Sequence, residues 1–241
     1  MVIYGIHPVL EALRAGRVRE VRVGDRADAR VAEVMKAAER ADVPVKKVRS
    51  QELDRQVRGA THQHVVADLG GSHAVRVRDL VAVGGGSAPL IVVLDGIEDP
   101  HNLGAILRTV DAAGGSGLIR QNRRAARLDG TAAKASAGAI SHVRIAEVVN
   151  IARAIEELKE LGVWTIGLSG DADKSYVDMD LTLPTALVLG AEGQGLRRLV
   201  RDRCDQLAAI PMKGHVGSLN VSVAAGVALF EAVRQRGAWP R

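Results

Sequence analysis

The chain has 241 residues, 47% of them hydrophobic and 25% charged, enough for one large or two small globular domains with a true core. Only 2% are aromatic, so the core is built from Val, Leu, Ile and Ala, which argues against broad aromatic platforms for stacking single-stranded RNA. The net charge is +5 and lies mainly in residues 1–89, with 15 Lys and Arg against 11 Asp and Glu, a bias that suits a polyanionic partner.

Cys204 stands alone, which excludes an internal disulfide framework and a cysteine-built zinc cluster, and fits a cytoplasmic location. No basic segment precedes a long apolar run at the start, so no signal peptide is expected, and no stretch has the length of a membrane span.

Residues 2–4 form a short strand candidate. His7-Pro8 opens a helix through Val9, Leu10 and Leu13 that ends at Gly16. Val18 to Val23 alternates apolar and charged residues, the pattern of a strand with one wet face. Val31, Val34, Met35 and Ala38 mark a second helix, and residues 43–48 a strand. Ser50 is expected to cap a third helix, and His64 to Leu69 to close the unit. Alternating strands and helices make residues 1–70 a small α/β domain. Residues 71–89, rich in Gly and Ser, read as a flexible linker with nothing to fill a core.

Residues 90–241 open on Leu90-Ile-Val-Val-Leu94, an apolar run that predicts a central parallel strand. Asp99 caps a helix with Pro100 at its first position, and Leu103, Ile106, Leu107 and Val110 face the core. Gly104, Arg108 and Asp111 fall opposite that stripe, with Gly104 leaving room beside Arg108. Asn102 lies in the first turn, by the crevice where open α/β sheets bind ligands. A second strand, Gly117 to Ile119, runs into Arg120, Arg123, Arg124 and Arg127, read as four guanidiniums on a phosphate-clamping loop, with a solvated charge run as the alternative. An Ala-rich helix, a helix over Ile151 to Leu161 and a strand from Val163 to Leu168 follow. The fourth strand, Leu187 to Leu189, ends in Gly190-Ala-Glu-Gly-Gln-Gly195, whose spacing is not that of a dinucleotide fingerprint. The fifth, Leu207 to Ile210, is stopped by Pro211. A glycine-containing loop then leads to Ser218, placed at the N-cap of a helix lined by Ser222, Ala224, Ala225 and Gly226.

Three segments together resemble the motifs of the SpoU branch of the SPOUT RNA methyltransferases. They are Asp95-Gly-Ile-Glu-Asp-Pro-His-Asn-Leu-Gly-Ala-Ile-Leu-Arg108 with its continuation to Gly114, Leu187 to Gly195, and Ile210-Pro-Met through Ser218-Leu-Asn-Val-Ser-Val-Ala-Ala-Gly226. Tyr4-Gly-Ile-His-Pro-Val-Leu-Glu-Ala-Leu13 resembles the family's N-terminal substrate-binding domain, so the likeness spans nearly the whole chain.

The resemblance implies a parallel-sheet domain with a deep trefoil knot, a homodimer, S-adenosylmethionine as methyl donor and no metal. Gly190, Ile210, Met212, Ser218 and Leu219 would hold the donor. Arg108, Asn102, Glu192 and Asn220 would be the catalytic set. The implied activity is 2′-O-methylation of a ribose, expected in a guanosine of 23S ribosomal RNA. Transfer RNA methylation, resistance-conferring ribosomal RNA methylation and non-catalytic RNA binding are the alternatives. The intact polar set argues against the last. Two positions depart from the family pattern: His62-Gln63-His64 replaces His-Gln-Gly, and Arg120-Gln121 replaces an apolar residue and proline. Both lie toward the RNA side and bear on the target more than on the reaction.

Overall fold

Alternation in the first third produces a half-buried mixed sheet. The computed structural model describes residues 1–25, 28–57, 59–70, 75–82 and 87–237. Its first part holds β1 (Val2–Tyr4), α1 (Ile6–Arg14), β2 (Val18–Val23), α2 (Ala29–Arg40), β3 (Val45–Lys47), α3 (Ser50–Gln56) and β4 (Val65–Leu69). The sheet order is β1-β4-β2-β3, with β4 antiparallel to β1 and β2. Val21, Val23, Val31 and Val34 meet the α1 residues Val9, Ala12 and Leu13 in the core.

Ser50 is not a cap. It is the first helical residue of α3, and its hydroxyl bonds the Asp25 carboxylate and lies 3.3 Å from His64 Nδ1. Gln63 and His64 both take left-handed backbone angles, φ 53° and 59°, at a turn where Gly at the second position would be unstrained. Gln63 repays that locally, since its Oε1 accepts the Ile6 N–H at 3.1 Å.

The expected linker contains α4 (Val77–Val81), whose Val77 and Leu80 are buried against the second part of the chain. An apolar pair three residues apart was enough to anchor one helical turn. The glycine-rich stretches 71–74 and 83–86 that suggested flexibility lie outside the described residues.

The second part runs β5 (Leu90–Asp95), α5 (Pro100–Ala112), β6 (Gly117–Gln121), α6 (Gly130–Ala135), β7 (Ile145–Val148), α7 (Ile151–Glu160), β8 (Trp164–Leu168), β9 (Thr185–Gly190), α8 (Arg198–Arg203), β10 (Gln206–Ala208) and α9 (Val221–Gln235). All its strands pair in parallel, in the order β10-β8-β9-β5-β6-β7. Six strands stand where five were expected. The addition, β7, is a short edge strand whose sequence, Ile-Ala-Glu-Val, is too brief to show periodicity. The apolar runs work on both faces: Val92, Leu94, Leu187 and Leu189 pack under α5 and α9, while Ile91, Val93, Ala186 and Val188 pack under α7 and α8.

Gly104 points inward, not outward. A Cβ there would lie 2.4 Å from Ala135 Cβ and 2.8 Å from Ala132 O, so this glycine sets the close crossing of α5 over α6. Arg120 belongs to β6 rather than to the loop after it. Its buried guanidinium bonds Glu147 at 2.6 Å and the Ala126 carbonyl. Cys204 is a packing residue: burial, then the neighbouring Asp205 charge, push its thiol up to about 12.

The two parts touch through α1, β1 and the α6 region. Tyr4 Oη meets Thr131 Oγ1 at 3.1 Å, and the tyrosine ring lies so close to Gly130 that a Cβ there would sit 1.9 Å away. Glu11 bonds His142 at 3.1 Å.

Candidate active site

Open parallel sheets leave a crevice beyond the carboxyl ends of their strands. Here the loops after β5, β9 and β10 converge on it. Asp95, the last residue of β5, pairs in register with Gly190 at the end of β9. It is 1% exposed and accepts the Arg197 backbone N–H at 2.9 Å and its Nε at 2.7 Å. That bidentate hold ties the loop 190–197 to the central strand. Sequence reasoning took Asp95 only as the end of a strand; a carboxylate closing an apolar run was the signal available.

Three predicted polar residues meet above these strand ends. Asn220 is the N-cap of α9, two residues beyond the expected cap Ser218. Its Oδ1 accepts the Ser222 backbone N–H at 2.9 Å, and only an oxygen can do so, which fixes the amide. Asn220 Nδ2 then donates to Asn102 Oδ1 at 2.9 Å and to Glu192 Oε1 at 2.6 Å. Asn102 Nδ2 is left to donate to the same Glu192 oxygen at 3.0 Å. Glu192 Oε1 is therefore filled, while Oε2 accepts nothing among the described residues. Asn102 in the first turn of α5, Glu192 on the loop after β9 and Asn220 at the N-cap of α9 form one closed network.

Beside it lies a cavity of about 730 Å³. Gly190, Ile210, Met212, Ser218 and Leu219, the five expected donor-binding residues, all line it, with Leu168 and Leu189 completing an apolar wall. Sequence reasoning missed Asp171 and Arg201 at its rim. Arg201 donates to Asp171 at 2.7 Å, Ser169 adds a bond at 2.5 Å, and together they hold the Asp171 carboxyl down at about 2. Nothing in their sequence spacing connects positions 30 residues apart.

Arg108 is not brought into this network. It is exposed on α5, six residues past Asn102, about 9 Å along the helix at 1.5 Å per residue, and makes no bond or ion pair among the described residues. Arg123, Arg124 and Arg127 are likewise exposed and unpaired on the loop after β6. Among the described residues no group of three or more His, Cys, Asp or Glu is placed to hold a metal ion, and no helix is long and apolar enough to cross a membrane.

Residues 89–230 match the model of the SpoU rRNA Methylase family. The chain belongs to the SpoU rRNA methylase family. Residues 2–73 match a second model, RNA 2′-O ribose methyltransferase substrate binding, which in this SpoU chain coincides with the four-stranded sheet. The 23S rRNA (guanosine-2′-O-)-methyltransferase RlmB of Photorhabdus laumondii is 44% identical over 239 residues, 98% of each chain. The protein of the same name from Escherichia coli K12 is 42% identical, again over 98% of both. Among solved structures, the SpoU methyltransferase AviRb from Streptomyces viridochromogenes in complex with AdoMet superposes with a TM-score of 0.83 at 26% identity, covering 99% of this chain and 91% of that one.

Proposed function

We propose that this chain transfers the methyl group of S-adenosylmethionine to the 2′-hydroxyl of a guanosine ribose in 23S ribosomal RNA. The observation that carries the reading is the closed Asn102–Glu192–Asn220 network standing beside a cavity lined by all five expected donor contacts. The full-length similarity to enzymes named for that reaction supports it. The cavity suits the donor. Its volume of about 730 Å³ lies within the range of roughly 300–1,000 Å³ typical of small-molecule sites. Its apolar wall can take an adenine, and carboxylates at the rim can meet hydroxyl and ammonium groups.

The donor, when bound, supplies an electrophilic methyl on a sulfonium. The protein's part is to align the ribose for in-line attack and to lower the cost of charge on the hydroxyl oxygen. Glu192 is held by two amide N–H groups on one oxygen, which leaves Oε2 to accept the hydroxyl proton or its hydrogen bond. Arg108 supplies positive charge to the substrate phosphate or hydroxyl. An arginine gives up its proton too reluctantly to act as base, so its role is electrostatic.

A homodimer through the catalytic part is included in the proposal, as are the knot and action in the cytoplasm. Val223 and Phe230 leave an apolar stripe open on α9, 50% and 42% exposed, the kind of surface a second copy would cover. For the knot, the segment between β10 and α9 runs from the sheet edge back past the end of β9, beside the 190–197 loop, to Asn220, which bonds Asn102 on α5. We assign residues 1–70 to RNA binding and 90–241 to catalysis.

The deciding experiment is transfer of labelled methyl groups to unmodified 23S ribosomal RNA fragments, with transfer RNA alongside and alkali resistance mapping the product. Label confined to transfer RNA would overturn the substrate, and label at a base would overturn the chemistry.

Two variants separate the roles. Asn102→Asp places a carboxylate where an amide donates to Glu192. Turnover should fall about 100-fold, because a hydrogen bond becomes a like-charge contact. Asn102→Asp in an enzyme with wild-type kcat would remove the network from the mechanism. For the loop, Arg123→Ala and Arg124→Ala should each reduce the salt dependence of RNA binding by about one phosphate contact. Arg120→Ala should leave that slope unchanged and instead lower stability by about 2 kcal/mol, since a buried, hydrogen-bonded cation is removed. Titrations of RNA at several salt concentrations, with denaturant melts, distinguish the two outcomes.

A further inference from the structure

A second cavity, of about 520 Å³, lies where the four-stranded sheet meets the loop after β6. It is separate from the donor cavity and shares no residue with it. Tyr4, Gln56, Val57 and Ala60 line it from one side, and Arg127 and Thr131 from the other.

Its walls are fixed. The Tyr4 ring is pinned against Gly130, and its hydroxyl is engaged by Thr131. Val57 belongs to a small buried cluster with Tyr4, Leu53 and Val66. Gln56 is oriented as well. Arg22 donates to its Oε1 at 2.8 Å, so its amide nitrogen remains as a hydrogen-bond donor. Met1 and Val2, both lining residues, stay exposed, 44% and 36%, so the cleft opens on an apolar lip. Arg127 at its edge has no partner among the described residues, and Arg123 and Arg124 extend the positive charge along the same loop.

We infer that this cleft takes one unpaired nucleotide of the substrate RNA: the base enters between Tyr4, Val57 and Gln56, and Arg127 holds its phosphate. Sequence-reading proteins recognise RNA mainly through bases splayed out of the helix, which need an apolar slot, a polar edge and a cation for the backbone. All three are present here, and the loop's further cations lie where the neighbouring phosphates would run. A chain with so few aromatic residues cannot spread bases over a platform, so a single walled slot is the form of base recognition open to it. The inference rests on the RNA-methylating reading above. It makes the contact of the four-stranded sheet with the loop after β6 and α6 a substrate site rather than only a structural joint.

The test uses the full-length protein and a 23S ribosomal RNA fragment that the wild type methylates. Ala60→Trp should fill the cleft, raising KM for RNA at least about tenfold while kcat at saturating RNA and S-adenosylmethionine affinity stay near wild type. Gln56→Ala, which fills nothing and removes one donor, should raise KM about threefold to tenfold and covers the case in which the tryptophan variant fails to fold. A photoreactive residue at position 60 should crosslink to a single nucleotide. Removing that base from the RNA should cost the wild type the same factor, with little further loss in Ala60→Trp. Unchanged KM in both variants, with wild-type methylation intact, would overturn the cleft assignment alone. A wild type that neither binds nor methylates the RNA would overturn the cleft and the function together.

Discussion

Arg108→Ala should lower kcat at least about 100-fold while the affinity for S-adenosylmethionine changes by less than about twofold, the signature of a group that acts only on the reacting oxygen or its phosphate. The structure sharpens this expectation. Arg108 stands on the outer side of α5, away from the Asn102–Glu192–Asn220 network, and bonds nothing among the described residues. A side chain held by nothing in its own subunit is free to serve a site elsewhere. In the dimer proposed above, that site would be the partner's. Mixing two inactive variants decides it. In a hybrid of Arg108→Ala with Glu192→Gln, one of the two sites regains both groups only if the arginine acts across the interface. Random reassociation should then restore about a quarter of wild-type activity. No recovery on mixing would place Arg108 and Glu192 in the same subunit's site. Loss of donor binding in Arg108→Ala would remove its catalytic role.

Local rules carried most of the architecture. The run Leu90 to Leu94, the Asp99-Pro100 start and the Val18 to Val23 alternation each contain their structural instruction within a few residues, and the folded chain follows it. The misplacements share a cause: each depended on what lay across space. Arg120 reads as one more loop arginine until β7 supplies Glu147 beside it, and β7 itself is too short to announce its period. Gly104 reads as room beside Arg108 until α6 arrives within contact distance. Ser218 has the right chemistry for a cap, but Asn220 takes the position because its amide nitrogen can also reach Asn102 and Glu192. The five residues expected to hold the donor, which line one cavity, came from motif resemblance rather than from pattern, since a cavity made by three loops has no periodicity. Asp171 and Arg201 lay in no motif and were not found at all.

Gly190→Ala should abolish donor binding and turnover together, and the reason is backbone geometry. A methyl group at residue 190 would lie 2.1 Å from the Gly195 carbonyl carbon, 2.2 Å from its oxygen and 2.3 Å from Leu196 N. No side chain can rotate away to relieve this. The loop 191–195 closes on itself through the Ala191–Gly195 bridge, with Gly195 N donating to Ala191 O at 2.8 Å, so the whole turn must move. Glu192 rides on that turn, and its displacement would break both amide contacts while opening the cavity wall. Overpacking of this kind costs about 3 kcal/mol or more when only backbone can yield, much of it felt as a lowered Tm. Gly193→Ala is the matched control in the same turn. An added methyl there meets nothing within 4 Å, so only the strain of a φ of 75° applies, about 1 kcal/mol, and donor affinity should survive. Calorimetric titration of both variants with S-adenosylmethionine makes the comparison. If Gly190→Ala bound the donor as tightly as Gly193→Ala, the closure of this turn would not be what shapes the pocket.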